Sequence, residues 1–106
     1  MTALELRQFI RGFLEKNNVK SFWVASAMEW LDRSIYGNHY FLTSLSSPEI
    51  VLNREYGCIK KFSFKAKASI PDRNLTGINV VVTYTFDPDL TNGKNHKVSI
   101  VHENKV

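Results

Sequence analysis

A single cysteine, Cys58, stands among the 106 residues, so no intramolecular disulfide can hold the fold together. Such a chain must draw its stability from a hydrophobic core, and an unbridged small domain fits a reducing, cytoplasmic compartment better than a secreted one. Proline and glycine are scarce at three and five residues, which excludes collagen-like and Gly/Pro-rich low-complexity segments. No apolar run approaches the roughly 20 residues of a membrane helix. The opening Met-Thr-Ala-Leu-Glu-Leu-Arg also lacks the parts of a signal peptide, so no membrane partner is expected. Gly-rich phosphate loops, a G-x-S-x-G elbow and an H-E-x-x-H pair are missing too, and nothing in the chain names a reaction or a cofactor.

What the chain has is apolar and aromatic mass. Hydrophobic residues make up 43%, enough for one core and a single α+β domain spanning 1–106. Seven Phe, four Tyr and two Trp are many large rings for this length, and rings dominate the energetics of cores and interfaces. The 14 Lys and Arg against 10 Asp and Glu leave a net charge of +4, which permits a nucleic-acid partner without requiring one.

The organisation follows from periodicity. Thr2 and Glu5 have capping-box spacing, and Leu6, Phe9, Ile10, Phe13 and Leu14 then recur as one helical stripe that Asn17-Asn18 ends. A second helix is expected from Ser21 as N-cap through Trp23, Val24, Ala27, Met28, Trp30, Leu31 and Ile35, closed by Gly37 in a left-handed conformation. Ile50-Val51-Leu52 reads as a short strand preceded by a connecting segment, with His39 to Leu42 either strand or loop.

From Phe62 to Ile70 apolar residues alternate with Ser63, Lys65, Lys67 and Ser69, which places the lysines on one face and the apolar side chains on the other. Pro71 to Asn74 turns the chain into a strand whose core side is Ile78, Val80, Val82, Tyr84 and Phe86. The stretch 87–95 reads as a hairpin loop, and the last strand has Val98 and Ile100 inward. The expected architecture is two N-terminal helices packed on one face of an antiparallel sheet of about four strands, a two-layer sandwich.

Two surfaces are candidates for function. The aromatic second helix and its continuation, Trp23, Trp30, Tyr36, Tyr40 and Phe41, are expected mostly in the core, but a small domain has few places for so many rings, and a patch left over would mark a protein partner or a homo-oligomer. Lys61, Lys65 and Lys67, with Lys97, present charge at a spacing that can meet phosphates, as a nucleic-acid-binding module or a metal-independent ribonuclease would require. Against that, lysines on outer strands also deter edge pairing, and no aromatics interleave with them to stack bases.

The leading expectation is a non-enzymatic interaction domain, such as a small subunit, inhibitor or accessory factor. A helix-plus-sheet cup holding a small ligand is a further alternative. Other constellations are weak. Cys58 has no histidine at a telling spacing, and His96 and His102 are six residues apart, too far along a strand to share an ion. Asp87, Asp89, Thr91, Asn92 and Gly93 begin like a calcium loop, but the glycine is one place late and Val98 stands where the glutamate should be.

Overall fold

The computed structural model describes residues 1–91 and 94–103. Its order is α1 (Ala3–Lys16), α2 (Ser21–Gly37), β1 (Phe41–Asn53), β2 (Cys58–Ile70), a single 3-10 turn (Pro71–Arg73), β3 (Leu75–Phe86) and β4 (His96–His102). The four strands form one antiparallel sheet in the order β1-β2-β3-β4, a meander with both helices on one face. The α+β two-layer arrangement expected from the sequence is the one found.

The capping box is formed: Thr2 Oγ1 accepts from the Glu5 N–H at 3.2 Å, and Glu5 Oε1 accepts from the Thr2 N–H at 3.2 Å. Two of the amides that a helix start leaves unpaired are thereby satisfied. At the other end the Asn17 side chain donates to the Phe13 carbonyl at 2.8 Å, and Asn18 takes the left-handed conformation (φ 62°).

Both expected ends of α2 shift by one or two residues. Ser21 is already helical, and the cap is Lys20, whose carbonyl accepts from the Trp23 and Val24 amides at 2.9 and 3.0 Å without any side-chain bond. Gly37 is likewise helical, because the Asn38 side chain donates to the Ser34 carbonyl at 2.6 Å and carries the helix further. The left-handed residue is His39 (φ 62°).

In the core, Phe62, Phe64, Ala66 and Ala68 of β2 and Val80, Val82 and Tyr84 of β3 are buried with Leu6, Ile10 and Leu14 of α1 and Val24, Ala27, Leu31 and Ile35 of α2. Phe64 pairs with Val82 and Phe62 with Tyr84, and these residues face inward as the alternation of each strand predicts. Phe9 meets Phe64 edge-on and Phe13 stacks on Phe62, each at 5.6 Å between ring centroids, which sets α1 over β2. Trp23 lies on Phe86 at 4.7 Å and Trp30 on His96 at 5.0 Å, setting α2 over β3 and β4.

The largest departure from expectation is β1, one continuous strand of 13 residues rather than a short strand after a connection. Its inward residues Leu42, Leu45 and Ile50 oppose Ala68, Ala66 and Phe62, yet they are three and then five positions apart. Register shifts at Leu42/Ser44 and Ser46/Glu49 absorb the extra residues, with Ser47 in the left-handed region (φ 52°), so no period of two survives in the sequence. The β1–β2 turn closes with Gly57 at φ 66°, its amide donating to the Asn53 carbonyl at 2.9 Å.

Candidate interaction surfaces

Most of the aromatic set from the second helix is drawn into packing. Trp23 and Trp30 are partly buried against the sheet, and Trp30 lies nearly parallel to the imidazole of His96, with 14° between the planes. His96 Nδ1 is in turn 2.7 Å from the Tyr84 hydroxyl. Burial pushes the Tyr84 phenol up to about 12 and lowers the His96 imidazole, so near neutral pH both are uncharged and one proton joins them.

Tyr40 makes a second pair of the same kind, its hydroxyl 2.7 Å from His102 Nε2. His102 thus packs at the strand end, as its place in line with Val98 and Ile100 suggests. Tyr36 is partly buried, and its hydroxyl is enclosed without a hydrogen-bond partner among the described residues. Burial, with the nearby Asp32 carboxylate, raises its pKa. Of the five aromatic candidates only Phe41 is exposed, at 52%.

The outer face of the sheet carries the lysines. Lys61 opposes Thr85, which opposes Lys97, so these two lysines lie two strands apart at about 10 Å. Lys65 lies roughly 13 Å along β2 from Lys61, and its ammonium is 3.8 Å from the Glu103 carboxylate. The candidates therefore divide: Lys65 is paired with acid and Lys67 is exposed beside it, while Lys61 and Lys97 face a hollow at the other end.

That hollow, about 520 Å³, is also lined by Lys60 and Lys94, with Asn53, Asn95, Asp87 and Asp89 among its walls. The Asp87 carboxylate is engaged in accepting from the Asp89 amide at 2.9 Å. Sequence reasoning missed Lys60 and Lys94. Lys60 is the extra residue where Val51/Leu52 steps against Lys61/Ile59, and its visible trace is the Lys60-Lys61 doublet that interrupts alternation before Phe62. The suspected calcium loop includes Asn92 and Gly93, which lie outside the described residues. Among the described residues no group of three His, Cys, Asp or Glu is placed to hold a metal ion.

Other groups weighed for chemistry sit in structural roles. Cys58 is 1% exposed and its thiol pKa is raised by burial, the reverse of what a nucleophile requires. Glu29 pairs with Arg33 at 2.8 Å and Asp32 with Arg7 at 2.5 Å, tying α2 to itself and to α1. No helix among the described residues is long and apolar enough to cross a membrane.

A smaller hollow of about 280 Å³ opens between the end of α2 and β4. Val98, Ile100 and Ile70 supply its apolar lining, and Ser34, Asn38, Tyr40 and Arg73 its polar rim.

The sheet has two outer edges that differ in kind. Along β1, Pro48 lacks an amide donor and the pairing with β2 shifts register three times. Along β4 the register with β3 runs unbroken from His96 to His102, with no proline or glycine. The Asp87 amide donates to Asn95 and the Glu103 amide to Asn79, each at 2.8 Å. Bonded pairs in an antiparallel ladder alternate, so Lys97, Ser99 and Val101 bond toward β3 and the backbone groups of His96, Val98, Ile100 and His102 point away from the sheet. No backbone partner meets those outward groups among the described residues.

Neither protein-family models, nor curated proteins, nor solved structures give a match to this chain.

Proposed function

We propose that the chain is a non-enzymatic protein-interaction domain that binds by adding a strand to its sheet at β4. The observation that supports this is the contrast between the edges. An unprotected strand edge is a template for another chain, and natural sheets blunt such edges with proline, bulges or short strands. Here β1 carries a proline and three register shifts, whereas β4 pairs without a break and has Lys97, near one end of its seven residues, as its only charged guard. Val101, 58% exposed on the outer face, offers apolar surface to an incoming strand as well.

Amide hydrogen exchange, read residue by residue by NMR, tests the proposal on the purified chain and on the native complex. In the bound form the His96, Val98, Ile100 and His102 amides should exchange slowly while unpaired amides along β1 exchange quickly. If those four exchange as open-edge amides do in every bound form, the reading falls.

A second reading has one observation in its favour, the lysines 60, 61, 94 and 97 around a single hollow. Phosphates of a nucleic acid are the ligand such a cluster fits. Its test is the salt dependence described below.

A further inference from the structure

We infer that the strand added at β4 is the β4 of a second copy of this chain, antiparallel across a two-fold axis at Ser99. This rests on reading the β4 edge as the interaction surface, and it names the partner. The sequence of β4, His96-Lys97-Val98-Ser99-Ile100-Val101-His102, is close to a chemical palindrome about Ser99. Antiparallel pairing about that residue sets Val98 opposite Ile100 and His96 opposite His102 on the helix side. On the outer side it sets Lys97 opposite Val101 and Ser99 opposite its own copy.

The backbone phase agrees with this register. His96, Val98, Ile100 and His102 have outward-pointing groups, so they fall in four narrow pairs, each exchanging two hydrogen bonds. Ser99 falls in a wide pair, where side chains come closest. A slip by one residue would set outward groups against inward ones and exchange the faces. A slip by two would leave two residues of each seven-residue strand unpaired.

Charge is compatible with the same register. Each Lys97 faces a valine, and the two lysines lie four residues apart along the joined strands, roughly 13 Å, beyond the ~8 Å screening length at physiological salt. The result is closed and isologous: two four-stranded sheets become one, and the remaining edges are the two bulged β1 strands. The hollow between α2 and β4 gains a wall from the second copy's strand.

Sedimentation equilibrium of the purified chain tests the inference, together with cysteine variants. A mass of twice 12.2 kDa is expected, and Ser99→Lys should raise the dimer dissociation constant several-fold by setting like charges face to face. Under mild oxidation Ser99→Cys should cross-link two copies, because wide-pair side chains directly oppose one another. Val101→Cys should not, its copies being four residues apart, and wild type controls for the buried Cys58.

A 12.2 kDa species at every concentration reached overturns the dimer, as does a dimer indifferent to Ser99→Lys. Cross-linking of Val101→Cys as readily as Ser99→Cys overturns the register and with it the two-fold at Ser99. If the chain is monomeric yet the four outward amides are protected in a native complex, the self-pairing fails and the interaction reading stands. If they are unprotected in both, the two fail together.

Discussion

The two faces of the same strands obey different rules. On the helix side, Phe62, Phe64, Ala66, Ala68, Val80, Val82 and Tyr84 are all at most 5% exposed, and each touches side chains from another element. On the other side Lys61, Lys65 and Lys67 are exposed and Val81, Thr83 and Thr85 half-buried, with no layer above them among the described residues. One backbone thus carries a face that determines whether the chain folds and a face whose side chains are free to serve a partner. A substitution should be severe or slight according to the parity of its position.

The widest test of that contrast is a pair of neighbours on β3. Val82→Asp places an unpaired charge in the core and should abolish folding, a loss of more than about 4 kcal/mol. Thr83→Asp, one residue along and on the outer face, should cost about 1 kcal/mol or less. Urea denaturation of both variants reads the difference, and equal costs would erase the distinction between faces.

A middle-sized effect sharpens the comparison where polar groups enter the buried face. The Tyr84 phenol is pushed from 10.0 up to about 12 by burial, so the folded chain holds its proton longer than the unfolded chain. The stability this group contributes should therefore be intact below pH 10 and lost as pH rises through the window up to about 12, by roughly 2–3 kcal/mol. His96 works in the other direction. Its pKa is lowered below 6.5, so stability is full above that value and declines as pH falls and the unfolded chain takes up the proton. Tyr84→Phe should lessen the alkaline decline, to which the raised Tyr36 and Cys58 groups also contribute, and His96→Gln should weaken the acid one, each read as the difference from wild type in denaturation midpoint across pH.

The smallest effect on stability belongs to the outer lysines. Replacing Lys61, Lys65 and Lys67 together with Gln should change unfolding free energy by less than about 0.5 kcal/mol. If the face meets duplex DNA, the same variant should lower the slope of log affinity against log salt by about 0.9 for each lost phosphate contact. Lys65, already beside Glu103, should contribute least. Absence of salt-sensitive binding by wild type near 50 mM salt, in order-of-magnitude terms the regime where phosphate contacts are strong, would end the nucleic-acid reading.

Periodicity made the regular parts legible. The capping box of α1, its apolar stripe, the alternation of β2 and β3 and the inward Val98 and Ile100 are local patterns whose spacing matches helix or strand geometry. The ends of α2 were less so, since Lys20 caps through its carbonyl alone and the Asn38 side chain holds the last turn so that Gly37 stays helical, bonds that residue type does not announce.

Of the candidate surfaces, the residue types were readable and their company was not. Three of the five aromatic candidates were claimed by partners distant in sequence, Trp23 by Phe86, Trp30 by His96 and Tyr40 by His102. Lys61 and Lys97 were joined by Lys60 and Lys94 only because a bulge and the β3–β4 connection bring them together.

The sequence by itself determined which residues are apolar, at what period they recur, and hence the element types, the α+β layers and the inward side of each regular strand. Only the tertiary structure decided that β1 runs the full length of β2 through its bulges, and that its edge is interrupted while that of β4 is open. The physical reason is that alternation is a property of consecutive residues. Which strand lies at an edge, and which backbone groups are left without partners, depends on pairing between segments dozens of positions apart.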